Sequence, residues 1–400
     1  MDFEDSEDEA NYRAVVRTWL EANVPNDANG KHRRGVEGSE SLRSARSWQA
    51  RKASAGYACI HWPREWGGPA GTPIQSVIFH QEESKFVTPP NPFHIGLNMS
   101  VPTVLAFSDQ KTRERFGFSA MNGDEIWCQL FSEPSGGSDL AAARTRVRKT
   151  QDGTGDWIIN GQKVWTSFAH IADFGLILCR SNTDAPKHNG LTMFWVDLRS
   201  QGVEVRPIHE MNGSSTFNEV FFTDVRISDN QRLGPVDGGW KVAVQTLMNE
   251  RLQSDSSGAD WIDVLKMARR LPSIYGKSAL QNPAVRQQLA QWYIQSEGLK
   301  HTRNRVITAL SRGHTPGPEN SIMKLVRASQ MQDLSHAAIE IMGRFGVVDE
   351  AGGPEERSLF QDSLMWAPGL RIAGGTDEIL RNIIAERVLR LPRDASHDKS

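Results

Sequence analysis

Four hundred residues exceed what one small core can organise, and at about 150 residues per domain the chain predicts two or three domains. An apolar content of 38% marks a globular protein, and a net charge of −2 gives no case for nucleic acid, although a local basic pocket for a phosphorylated ligand stays open. The three cysteines, Cys59, Cys128 and Cys179, form neither a CxxC pair nor a zinc pattern, so no metal is expected and a reducing, cytoplasmic setting fits.

In chain order, the acidic opening residues 1–9 do not read as a secretory signal or transit peptide, and no run of about 18 apolar residues predicts a membrane span. The first 120 residues read mainly as helix. Residues 11–23 carry an amphipathic pattern through Tyr12, Val15, Val16, Trp19 and Leu20. Residues 27–40 are polar and glycine-rich and read as a loop. Residues 62–68 are turn chemistry wrapped in aromatics, and helical patterns resume over 76–86 and 101–107.

The period then changes. Residues 126–131, 145–148, 156–159, 163–166, 174–179, 191–197, 203–207 and 219–225 read as short strands, with Asn160-Gly161 as a hairpin turn between two of them. That density of strands predicts a compact β-barrel or sandwich. Helical periods return near Gly238, over 240–254, 285–312, 320–342, 357–367 and 377–389, with Pro316, Gly317 and Pro318 as a break. The chain is therefore expected to be a multidomain α+β protein. Residues 1–123 form an all-α domain, 124–234 the β-domain and 235–400 a helical bundle.

Four segments, in order, carry a resemblance. Ser132-Glu133-Pro134-Ser135-Gly136-Gly137-Ser138-Asp139 resembles the T/S-E-P-x-x-G-S-D turn of the acyl-CoA dehydrogenase family. Gly161-Gln162-Lys163-Val164-Trp165-Thr166-Ser167 is similar to its N-G-x-K-x-W-I-T strand, Phe221-Phe222-Thr223-Asp224-Val225-Arg226 to its F-x-D-V-x-V strand, and Gly374-Gly375-Thr376-Asp377-Glu378-Ile379-Leu380-Arg381-Asn382 to its G-T-x-E-I-x-R-N helix start. The resemblance implies a four-helix bundle for the C-terminal part and FAD as cofactor. It implies a flavin site from Gln129, Phe131, Ser132, Gly137, Ser138, Trp165, Ser167, Thr376 and Glu378. Physically, glycines let backbone approach a flat ring, and small hydroxyls and turn N–H groups can face its oxygens.

The base is where the chain departs from the family's commonest pattern. Removing the α-proton of a thioester needs a positioned carboxylate, and many members place a glutamate directly before the C-terminal Gly-Thr. Here that position is Gly374, which cannot serve. A second pattern in the family, of the isovaleryl-CoA dehydrogenase type, puts the glutamate before an arginine on a bundle helix, which here is Glu250-Arg251. On a helical wheel Gly239, Ala243, Thr246, Leu247 and Ser254 share its side, mostly small residues that leave room for a ligand. The resemblance implies Glu250 as base and the Gly374 N–H as donor to the thioester carbonyl, with Ser138, Arg251 and Gly375 on the substrate. A surface Glu–Arg pair is the structural alternative. Asp377 and Glu378 are poorer bases because carboxylates are favoured at a helix start anyway.

The implied reaction is α,β-dehydrogenation of an acyl-CoA to a trans-2-enoyl-CoA, with electrons passed to an electron-transferring flavoprotein by a homo-oligomer, a tetramer by family habit. The family's R-x-x-F-G and Q-x-x-G-G segments have no clear counterpart in residues 275–283 and 340–344. Two other functions therefore stand beside the first. One is a related flavin oxidase or monooxygenase, and the other a non-catalytic subunit of a hetero-oligomer.

Overall fold

The computed structural model describes residues 5–25, 38–250, 258–271, 278–311, 317–318, 320–348 and 355–392. Two compact units divide the chain between Glu250 and Arg251.

The first unit opens with helices α1 (Glu7–Asn23), α2 (Gly38–Ser54), α3 (Pro73–Glu83), α4 (Val101–Phe107) and α5 (Gln110–Asn122). Local chemistry starts several of them. Ser6 and Glu9 form a reciprocal capping box on α1, and Thr72 and Gln75 do the same on α3, where Pro73 occupies the first turn. Val16 and Leu20 pack with Trp48, Ile60 and Phe79, whereas Val15, expected on that face, is 60% exposed. One fully buried carboxylate ties α1 to α3. Glu82 accepts from Arg13 (3.0 Å), Arg17 (3.0 Å) and Lys85 (2.7 Å). Helices α2 and α5 lie where no separate helix was expected, and α2 takes in residues 38–40 of the predicted loop; residues 26–37 fall outside the described residues.

Strands β1 (Trp127–Leu130), β2 (Arg146–Lys149), β3 (Trp157–Ser167), β4 (Phe174–Arg180), β5 (Leu191–Asp197), β6 (Val203–Pro207), β7 (Phe217–Ile227) and β8 (Arg232–Leu233) follow. They form one sheet in the order β6-β7-β3-β2-β4-β5-β8, with β1 pairing β4 in parallel. Both faces of its centre are buried. Along β4, Leu176 and Leu178 enter the core shared with the helices, while Ile177 and Cys179 enter a second core on the opposite face. Strand β5 alternates likewise, with Met193 on one side and Phe194 and Val196 on the other. Two buried faces explain why these strands read as nearly unbroken apolar runs. The expected turn at Asn160-Gly161 is a correction. These residues lie inside the single strand β3, which shifts register against β7 between Ile159 and Gly161. A Cβ on Gly161 would sit 2.7 Å from the Thr145 Cα, so glycine serves close approach here, not chain reversal.

Helix α6 (Gly239–Glu250) closes this unit. Val242, Ala243 and Thr246 are buried, and the Thr103 hydroxyl of α4 donates to Thr246 Oγ1 at 2.9 Å. The small residues once read as room for a ligand are here packing residues at Gly239, Ala243 and Thr246. A Cβ on Gly239 would lie 2.8 Å from the Leu191 carbonyl oxygen and from Thr192 Cα, both backbone of or beside β5. Gly239→Ala is therefore expected to cost about 1–3 kcal/mol by pushing α6 off the sheet. A melting temperature unchanged from the parent would show that the helix has slack.

The second unit holds α7 (Trp261–Arg270), α8 (Pro283–Ser311), α9 (Asn320–Met342), α10 (Glu355–Leu370) and α11 (Asp377–Ile383), the last running into a wider turn over residues 384–388. Helix α9 touches each of the other four and buries Ala328, Met331, Leu334, Ala337 and Ala338 together with Gln330 and Ser335. Gln330 is satisfied by the Trp292 carbonyl of α8 at 2.9 Å. A helix surrounded in this way is buried on more than one side and carries little amphipathic signal. Helix α7 was not expected, although Asp260 and Asp263 cap it reciprocally and Val264, Met267 and Ala268 form its buried stripe. Among the described residues no helix is long and apolar enough to cross a membrane.

Candidate active site

The first group of motif residues comes together on the sheet of the first unit. Glu133 and Gly136 bond reciprocally through their backbones, at 3.1 and 2.9 Å, so Pro134 and Ser135 form a tight turn with proline's φ already set. The Val164 N–H donates to the Ser132 carbonyl at 2.9 Å, which fastens this turn to β3. Ser132 is half-buried, Gly137 and Ser138 are exposed, and Phe131 is buried beneath them.

Beside the turn, β3 shifts register again between Lys163 and Thr166. Trp165 occupies that irregularity at φ +57°, a left-handed backbone that bulky residues rarely adopt and that costs on the order of 1–3 kcal/mol. Its side chain is 59% exposed and meets Phe217 edge-on at 6.1 Å. Strained backbone that turns a large indole outward marks a candidate site. Ser167 ends the strand, half-buried.

Under the turn lies a buried ion pair that the sequence reading passed over. Lys163 Nζ, fully buried, donates to Glu133 Oε1 at 2.8 Å and to the Phe131 carbonyl at 3.1 Å. The same carboxylate accepts the backbone N–H groups of Thr145 (2.9 Å) and Arg144 (2.6 Å). Burial alone would raise the Glu133 pKa. The Lys163 charge and the bonds from Lys163, Thr145 and Arg144 outweigh it, and the carboxyl is held below its ordinary range. A lysine at an inward position of an apolar strand was the available signal, since such a residue needs a partner.

The residues fit a flat cofactor with polar edges. Gln129 Nε2 and Thr166 Oγ1 are buried without a hydrogen-bond partner among the described residues, so the chain leaves donors for something else to meet. Neither Gly136 nor Gly137 has a positive φ, and a Cβ on either would meet only ordinary contacts, Asp139 at 3.8 Å and Ser132 Oγ at 3.4 Å. Neither backbone strain nor internal packing demands glycine there, which leaves the backbone open to close approach from outside.

The second group of motif residues lies in the second unit. Gly374 and Gly375 take φ values of +61° and +91°, so here the backbone itself favours glycine. Thr376 caps α11 by accepting from the Ile379 N–H at 3.2 Å, and Lys324 Nζ of α9 donates to the Gly375 carbonyl at 2.6 Å. Asp377 is buried and paired with Arg371 at 2.6 Å, which also bonds Gln332 at 3.0 Å. The Asp377 Oδ2 braces the turn, while the buried Oδ1 has no hydrogen-bond partner among the described residues. Glu378 is exposed; its own backbone N–H and the Thr376 hydroxyl bond it and hold its carboxyl below the usual range. Glu250 is the last residue of α6, and its side chain, like all of Arg251, falls outside the described residues.

Helices, then a sheet carrying this turn and tryptophan, then helices again is the layout of FAD-dependent oxidoreductases acting on CH–CH groups. Residues 6–124 match the acyl-CoA dehydrogenase N-terminal domain, 128–225 the middle domain and 237–389 the C-terminal domain, and the chain belongs to the acyl-CoA dehydrogenase family. It is 34% identical over 393 residues to the acyl-CoA dehydrogenase IpdE1 of Mycobacterium tuberculosis, covering 97% of this chain and 99% of that one. Among solved structures, the fold is shared with the Tcur3481-Tcur3483 steroid ACAD, at a TM-score of 0.81 and 24% identity over 98% of this chain and all of that one. It is shared also with the ChsE4-ChsE5 complex from Mycobacterium tuberculosis, at a TM-score of 0.79, 24% identity, and 98% and 100% coverage.

Proposed function

We propose that this enzyme removes two hydrogens across the α–β bond of an acyl-CoA thioester, releasing a trans-2-enoyl-CoA, with Glu250 as base. The observation that carries the reading is Trp165, exposed on a strained backbone next to a turn whose glycines the protein itself does not require. FAD, when bound, supplies the acceptor for the β-hydride. The remaining work belongs to the chain. Gln129, Ser132, Ser138, Trp165 and Ser167 hold the cofactor, with Thr376 and Glu378 as further contacts. The Gly374 N–H, in a turn braced by the Arg371–Asp377 pair and Lys324, donates to the thioester carbonyl and so acidifies the α-carbon. Glu250 takes the α-proton, and Arg251, Ser138 and Gly375 line the substrate.

Full-length protein carrying FAD, mixed without oxygen with short, long, branched and steroid-side-chain acyl-CoAs, tests the reaction. The steroid arm is included because one fold neighbour is named a steroid ACAD. At least one thioester should bleach the flavin and yield a product lighter by two hydrogens. Electron-transferring flavoprotein should then restore the colour faster than air. A yellow protein that no thioester bleaches overturns the reading and favours the non-catalytic subunit. Colour restored equally fast by air alone favours the oxidase.

A further inference from the structure

The Lys163–Glu133 pair has no part in the reaction as proposed, yet it sits at the junction of the 131–138 turn, β3 and the entry to β2, the first unit's share of the proposed flavin site. Glu133 belongs to the turn itself. Lys163 is two residues from Trp165 and next to Val164, whose N–H holds the Ser132 carbonyl at 2.9 Å. The two amides that Glu133 accepts, Arg144 and Thr145, lead into β2. Lys163 also reaches the Phe131 carbonyl, the residue where the turn leaves β1. One carboxylate and one ammonium therefore tie three stretches of backbone at a single buried point.

Stability alone does not call for such a device. A buried ion pair is often matched or bettered by apolar residues of the same volume. What the pair supplies, and apolar residues cannot, is a set of directed bonds at fixed lengths. The strain at Trp165 points the same way, because a left-handed tryptophan persists only where its surroundings over-determine it.

We propose that Lys163 and Glu133 are positioning residues that pre-form the 132–138 turn and the Trp165 irregularity in one register, so that FAD meets a finished surface. The inference rests on the assignment of these residues to the flavin site. Reach is its essential element. Shortening the carboxylate by one methylene keeps the charge but denies it simultaneous contact with Lys163, Arg144 and Thr145.

Glu133→Asp and Glu133→Gln in the full-length protein, read by FAD titration and by backbone hydrogen exchange, provide the test. Glu133→Asp should bind FAD on the order of tenfold more weakly, as sites do when their support loosens by about an ångström. Exchange over residues 131–138 and 144–145 should quicken, while β4 and β5 stay protected as an internal control. Glu133→Gln keeps the reach and loses the charge, so it should lie between Glu133→Asp and the parent. A Glu133→Asp protein with the parent's FAD affinity overturns the proposal, whether or not its exchange has changed. If Glu133→Asp does not fold, the same two readings on Glu133→Gln decide, and weaker FAD binding with a loosened turn is the supporting result. Failure of both variants to fold assigns the pair to folding of the sheet and also overturns the positioning role. A parent protein that takes up no FAD refutes the flavin-site assignment itself, a result separate from any of these.

Discussion

Glu250→Gln will leave FAD and acyl-CoA bound while flavin reduction by the best substrate falls by about 10²–10⁴-fold, the usual loss on removing a general base. Glutamine keeps the shape of glutamate and removes the basic carboxylate. The turn over residues 132–138 and β3, proposed above to hold the flavin, are remote in sequence from the change, and the proposed carbonyl donor is the Gly374 N–H. Stopped-flow bleaching under anaerobic conditions measures the rate, and a substrate titration followed by absorbance shows that binding survives. A Glu250→Gln protein that reduces its flavin as fast as the parent removes Glu250 from the mechanism.

Acid will release α1 from α3 in the pH range where Glu82 gains its proton. Burial alone would raise the Glu82 pKa, but hydrogen bonds from Arg17, Lys85 and Arg13 outweigh it and bring it from an ordinary 4.5 down to about 2. The folded state therefore holds this proton more weakly than the unfolded chain. The contribution is complete above pH 4.5 and is lost as pH falls through 2. At 1.36 kcal/mol per unit the difference is worth at most about 3 kcal/mol, less for solvent screening at the half-exposed Arg17 and Lys85. The Arg13 bond at 2.8 Å also holds the Asp5 carboxyl below its ordinary range, so the isolating comparison is between parent and Glu82→Gln. The variant should lose roughly that stability at neutral pH, because three cations face an amide, and its stability should change less between pH 5 and 2. Hydrogen exchange over residues 7–23 reports the detachment. Identical pH profiles for parent and variant would mean that the other acids, not Glu82, govern it.

Much of the architecture was legible in the sequence because its patterns were strong. Strands β1 to β7 were legible as short, largely apolar runs, although 156–159 and 163–166 are one strand and the two-residue β8 was not expected, and helices α8 and α9 were placed to within two residues. What misled was local. Asn160-Gly161 carries the composition of a hairpin turn, but its role is to let β3 pass close to Thr145, a tertiary fact with no local signature. Helices α2, α5 and α7 were missed, the first because its sequence is polar apart from a few core residues such as Ala45 and Trp48. At the site, the turn over residues 132–138 and β3 are fastened by the Val164–Ser132 backbone bond and the Lys163–Glu133 pair, tertiary contacts that neither segment announces by itself. The Lys163–Glu133 pair was overlooked because its members are thirty residues apart and each looked like an ordinary motif position. The smallness of Gly239, Ala243 and Thr246 was read as space, although helix-on-sheet packing uses it.

The ends of the sheet bear on how the protein behaves when concentrated. An open strand edge offers unpaired backbone groups on which another chain can grow, the first step toward fibrils. Here the terminal strands are poor templates. Strand β8 is two residues long, and β6 carries the charged pair Glu204 and Arg206 at 2.7 Å before stopping at Pro207, which has no N–H to donate. Beside β1, the Ser100 hydroxyl takes up the Cys128 carbonyl at 3.0 Å. The apolar centre of the sheet, β4 and β5, thus lies inboard of strands that are short, charged or stopped by proline, the features that discourage recruitment of another chain.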